Sequence, residues 1–173
     1  SFDDRYNLYQ VFGFDLGSRY NAVPINDQSA VITAGNYAYI LEFSTGKETP
    51  IRGLNEGITC SAIHPNGEYI ALGEKGKDPR LLIYQYPSLK IFRILTGGTE
   101  TAYTSINFSP DGKMLAAVGT EPDYTLTVWD WERETLILRA KAFSQDIYRV
   151  VFSENLHGRL VSSGVGHIRF WEM

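Results

Sequence analysis

Three markers recur along this chain at an interval of about 44 residues, and a fixed period of that length decides the architecture before any single strand is assigned. The first is a turn. Ser109-Pro110-Asp111-Gly112 matches His64-Pro65-Asn66-Gly67, and Ser153-Glu154 with Gly158 takes the same place in the next copy, with an insertion and no proline. The second is a glycine after a short apolar run, at Gly73, Gly119 and Gly164, with Ala34-Gly35 as a looser copy. The third is an aromatic-bearing strand: Leu81–Tyr86, Leu126–Trp131 and Ile168–Glu172, with Tyr39–Phe43 in the same slot of the first repeat.

Between the markers, residues alternate as half-buried strands do, for example Tyr103, Ile106 and Phe108, then Ile147, Val150 and Phe152. Asn66-Gly67 and Asp111-Gly112 are hairpin signals, because glycine tolerates the positive φ that tight turns demand. Ser44–Lys47 and Tyr86–Lys90 turn each third strand into a fourth. Four short antiparallel strands per period is the pattern of a β-propeller blade rather than of a sandwich. The expected fold is therefore all-β, with repeats at about 20–54, 55–98, 99–143 and 144–173, and with 1–19 irregular or an outer strand. The chain starts without Met and stops after a third strand. The expectation is about four blades of a larger, seven-bladed ring, a closed four-bladed ring being the alternative.

Composition narrows the function. Net charge is −4, and no run of five or six like charges creates a strong local field, so nucleic acid and anionic membrane are not expected partners. No apolar run approaches the length that spans a bilayer, and the single cysteine, Cys60, excludes an internal disulfide and suits a reducing compartment. A soluble, cytoplasmic protein is expected, with Cys60 as a small buried hydrophobe.

Catalysis needs converging groups, and none assemble. His64, His157 and His167 fall at different turns, where a turn or surface role is the expectation, and one cysteine cannot complete a zinc site. Gly73–Asp78 lacks the spacing of a phosphate loop. No catalytic, cofactor-binding or metal-binding residue is expected, and the chain is read as a non-enzyme. The loops after the second strands are longer than a minimal turn. On a rigid scaffold such loops carry binding, so Lys75, Lys77, Arg80, Glu121 and Tyr124 are the candidate partner-contacting residues.

Phe108–Gly112, Leu115-Ala116-Ala117, Asp123 and Val128-Trp129-Asp130 together resemble the WD-repeat family. In that family an Asp before the third strand bonds to a Ser or Thr hydroxyl, a Trp indole and an upstream His. Asp123 and Trp129 match two of those positions, while Ala117 and Thr99 stand where the hydroxyl and the His are expected. The last repeat keeps Ser162 and Trp171, and the second has Asp78 and Tyr84, with Leu54 at the His position. The resemblance thus implies divergent blades held mainly by apolar packing.

Pro122–Trp129, Ile137–Gln145 and Gly164–Met173, with Glu74-Lys75-Gly76 and Ile83–Leu89 upstream, resemble the propellers of the cilia- and flagella-associated WD-repeat proteins from about Gly53 to the end. What this implies is a scaffold in the ciliary or flagellar axoneme that works beside cilia- and flagella-associated protein 43. It is similar to a tether joining an inner-arm dynein motor region to the doublet microtubule and regulating ciliary motility. A general WD-repeat adaptor, including the echinoderm-type microtubule-associated propellers, is the alternative.

Overall fold

The computed structural model describes residues 21–120 and 124–141 in full, and Tyr20 and three strands between 147 and 172 as backbone. Among the described residues there are strands and no helix, as expected. The first sheet is β1 (Tyr20–Pro24), β2 (Ser29–Ala34), β3 (Tyr37–Glu42) and β4 (Glu48–Pro50). The second is β5 (Ile58–Ile63), β6 (Tyr69–Glu74), β7 (Leu81–Gln85) and β8 (Ile91–Leu95). The third is β9 (Tyr103–Phe108), β10 (Met114–Gly119), β11 (Thr125–Asp130) and β12 (Thr135–Lys141). A fourth sheet has β13 (Ile147–Phe152), β14 (Arg159–Gly164) and β15 (His167–Glu172).

Within each sheet every strand pairs antiparallel with the next, the meander that short connections impose. Between sheets, β5 packs against β9 and β9 against β13, while β1 and β2 meet β5. The first strand of each sheet is therefore innermost and the fourth outermost. That is radial packing of propeller blades, not two stacked layers.

The period read from the sequence is visible in the backbone irregularities. One extra residue bulges each inner strand at Thr59, Thr104 and Tyr148, and each outer strand at Phe92 and Ile137. Such bulges bend a strand and raise its twist, which a blade needs in order to fan outwards. Thr59 and Thr104 donate their hydroxyls to the carbonyls of Gly73 and Val118 at 3.1 and 3.2 Å, so the disrupted ladder keeps polar partners.

Second and third strands are covered on both faces by neighbouring blades, which is why they read as nearly unbroken apolar runs. Ile70, Ala71 and Leu72 on β6 and Leu115 to Val118 on β10 are fully buried. Val31, Ile40, Ile70, Leu72, Leu82 and Tyr84 form the core between the first two sheets. Ala71, Ile83, Phe108, Leu115, Trp129 and Trp131 belong to the core between the second and third. At the edge of that second core, Gly67 and Gly112 close matching turns with φ of 75° and 74°, their N–H groups each 2.8 Å from the carbonyls of His64 and Ser109.

Candidate functional site

Because strand direction alternates, the β2–β3, β6–β7 and β10–β11 loops and the β4–β5 and β8–β9 connections emerge at one end of the blades. Backbone bonds knit them together. Lys75 N–H donates to the Gly57 carbonyl at 3.0 Å, Gly76 N–H to Thr101 at 2.8 Å, and Thr120 N–H to Ala102 at 2.9 Å. Gly57 has no side chain, and the Lys75 stem crosses the space one would fill, with Cε 2.6 Å from the position of a Cβ.

One buried carboxylate holds this loop face. Glu74, 1% exposed at the end of β6, accepts Arg80 Nε at 2.7 Å, Arg80 Nη2 at 3.1 Å, and the N–H groups of Asn55 and Arg80 at 2.9 and 3.1 Å. Arg80 Nη2 also donates to the Gly53 carbonyl at 2.9 Å, and Tyr84 donates its hydroxyl to Arg52 at 2.6 Å. Three chain segments therefore meet at one ion pair. Burial alone would push the Glu74 carboxyl up, but the bonds and charge of Arg80 and the Asn55 N–H together hold it below its ordinary value. Burial pushes the Tyr84 phenol up to about 12, so it stays a hydrogen-bond donor.

Several residues named from the sequence take other places than expected. Arg80, grouped there with Lys75 and Lys77, turns inwards onto Glu74, leaving the two lysines exposed. Tyr124 has φ of 42° and is 8% exposed, packed with Leu126 and Val128 instead of standing in the loop surface. Asp78 is exposed at φ 51°, and the buried carboxylate beside Tyr84's strand is Glu74. Trp129 is buried, its indole donating to Thr127 Oγ1 at 3.1 Å, and Thr127 in turn to the Ala117 carbonyl at 3.4 Å. Ala117 and Thr127 are paired across β10 and β11, so a hydroxyl is present one strand over from where the family places it. Glu121 and Asp123 lie outside the described residues, and of Ser162 and Trp171 only the backbone on β14 and β15 is described.

At the opposite end of the blades His64 is not a simple turn residue. Its Nε2 lies 2.9 Å from the Gly112 carbonyl, which also accepts the Trp131 indole at 2.8 Å. The ring stands edge-on to Tyr69, Phe108 and Trp131 with centroids 5.6, 5.1 and 5.5 Å away. Nothing in the sequence signals this, because the partners come from another repeat.

Cys60 is buried and its thiol is pushed up to about 12 by burial, which leaves it protonated and a poor nucleophile. Among the described residues no group of three His, Cys, Asp or Glu could hold a metal ion, and no helix is long and apolar enough to cross a membrane. The face can offer shape, hydrogen bonds and charge. A shallow open groove of about 840 Å³ lies beside it, lined by Tyr37, Tyr39, Pro50, Arg52 and Leu54 among others.

Comparison with known proteins fits this architecture. The family model for the WD domain, G-beta repeat, matches residues 89–130. Cilia- and flagella-associated protein 44 of Mus musculus is 42% identical over 167 residues, covering 96% of this chain and 9% of that protein. The protein of the same name from Chlamydomonas reinhardtii is 41% identical over 174 residues, covering 96% of this chain and 10% of that protein. The chain thus spans about a tenth of the length of these curated relatives. The solved structure of U3-55K superposes with a TM-score of 0.74 over 91% of this chain and 50% of that one, at 18% identity, a likeness of fold alone.

Proposed function

The chain belongs to the WD-repeat β-propeller family, and from that premise we propose that it is a non-catalytic scaffold of the cilium or flagellum, presenting its loop face to protein partners. The observation that carries this reading is the similarity along 96% of the chain to cilia- and flagella-associated protein 44 in organisms as different as Mus musculus and Chlamydomonas reinhardtii. A rigid stack of blades with loops pinned at one end suits such work, because it presents a preformed surface at little ordering cost.

In its finer form the proposal is a tether in the axoneme. The chain would work beside cilia- and flagella-associated protein 43, holding an inner-arm dynein motor region to the doublet microtubule and so regulating motility. Lys75 and Lys77 are the residues we assign to partner contact. The groups described at the loop face serve to hold loops in place, which supports a binding role over a catalytic one. The test is to tag the full-length protein at its own locus and image it. A signal along the cilium or flagellum that stays with the axoneme after detergent extraction is expected, and absence from the organelle contradicts the proposal.

A further inference from the structure

Repetition lets two neighbouring joints within this chain be compared, and they differ at the perimeter. Between the second and third sheets the outer rim is closed. Phe92, the extra residue of the β8 bulge, packs against Tyr69 and Trp131 with ring centroids 5.1 and 6.1 Å apart. Arg93 lies 4.1 Å over the Phe92 ring and donates Nε to the Glu132 carbonyl at 2.7 Å, and Arg139 reaches across to the Gly97 carbonyl. An aromatic plug and two arginine latches shut the rim.

Between the first and second sheets those parts are missing. The outer strand β4 pairs only Glu48, Thr49 and Pro50 with β3 and carries no bulge, so no aromatic corresponds to Phe92. On the other wall the register puts Ile94 opposite Leu82, the place that Arg139 takes opposite Thr127 in the next sheet. No latch can form there. Ile91 and Ile94 are left 43% and 37% exposed, although large apolar side chains elsewhere in the first two blades are mostly buried. Gly53 keeps the slot open, since a side chain there would begin 3.0 Å from Ile91 Cδ1.

We propose that this slot between β4 and β8, floored by Ile91 and Ile94, is a second contact surface that takes an extended acidic segment of a partner protein. An apolar side chain of that segment inserts where Phe92 sits in the next joint. Charge selects the segment. Lys47, Arg52 and Lys90 border the slot, all exposed, and among the described residues none of them forms an ion pair or a side-chain hydrogen bond. They face the single carboxylate of Glu48, in a chain whose net charge is −4. An extended partner also suits the geometry, because β8 is an outer strand and its free edge offers backbone groups for pairing. The surface lies on the circumference, apart from the loop face, and does not depend on it.

The test uses the full chain and a short fluorescent peptide with a central phenylalanine flanked by aspartate and glutamate, read by polarisation. Two control peptides replace the flanks with lysine or the phenylalanine with alanine. The expected result is that the acidic phenylalanine peptide binds on the order of tenfold or more tighter than either control. Ile94→Glu, and separately Arg52→Glu with Lys90→Glu, weaken it by a similar factor, whereas Lys75→Glu with Lys77→Glu leaves it unchanged. Both surface variants are checked for an unaltered melting temperature, and the two charge reversals, being fully exposed, keep the test intact if Ile94→Glu unfolds. No binding of the acidic peptide, or equal binding of the lysine-flanked one, overturns the proposal. So does sedimentation showing a self-association that Ile94→Glu abolishes, because the occupant is then a second copy of the chain.

Discussion

His64 and Gly112, 48 residues apart in sequence, join two blades through a single carbonyl, with His64 Nε2 at 2.9 Å and the Trp131 indole at 2.8 Å on the same oxygen. The carbonyl can only accept, so Nε2 carries the proton. His64→Ala removes this bond and three edge-on ring contacts and is expected to cost about 2–3 kcal/mol. His64→Phe keeps the ring contacts and loses the bond, for about 1 kcal/mol. Chemical denaturation of both variants checks the order; equal costs would show that the polar bond contributes nothing.

The two matching turns supply their own control. Gly67 and Gly112 have nearly the same φ, but a Cβ at Gly67 meets nothing within 4 Å whereas one at Gly112 would begin 2.2 Å from His64 Nε2. Gly67→Ala is expected to cost about 1 kcal/mol from backbone strain alone. Gly112→Ala adds displacement of the His64 ring and costs more, and the excess disappears in a His64→Ala background. Thermal melts of the four variants decide it.

At the loop face, removing one partner of the Glu74–Arg80 pair strands a buried charge, while removing both does not. Arg80 keeps some solvent contact, so Arg80→Met is expected to cost about 2–3 kcal/mol, less than a fully buried pair would. Glu74→Gln with Arg80→Met should be less destabilised than Arg80→Met alone. The folded-state carboxyl lies below its ordinary value of 4.5. Its contribution is therefore complete above that pH and is lost as pH falls through the depressed folded value. Denaturation midpoints measured down to pH 3 should fall less steeply for Glu74→Gln than for the parent.

Trp129 fills the core between the second and third blades, so Trp129→Ala is expected to cost about 3–5 kcal/mol. Thr127→Val keeps the shape but leaves the buried indole N–H without its acceptor, for about 1–2 kcal/mol. A melt of Trp129→Ala that matches the parent would contradict the strand register given for β11.

What was legible in the sequence was whatever a single repeat encodes. Glycines at turn positions, apolar runs and the aromatic third strand set the interval, and the bulges at Thr59, Thr104, Phe92 and Ile137 keep it. What was not legible depends on a neighbouring blade. His64 reads as a turn residue until Gly112, from the next repeat, is placed against it. Glu74 ends an apolar run and is overshadowed by Asp78, which sits nearer the expected position but points to solvent. Arg80 reads as part of a basic loop because its charge is counted and its direction is not. Tyr124 reads as exposed because it belongs to a loop, yet its backbone turns the ring back into the core.

The central claim, a scaffold that holds its partners through the loop face, is tested most directly by retention on detergent-extracted cilia or flagella. Full-length protein carrying Lys75→Glu and Lys77→Glu is compared with the unaltered protein expressed at the same level. Both substitutions are at exposed positions that make no ion pair among the described residues, so folding should be unchanged. The account predicts that the altered protein enters the organelle but washes out on extraction. Retention equal to that of the unaltered protein would contradict it.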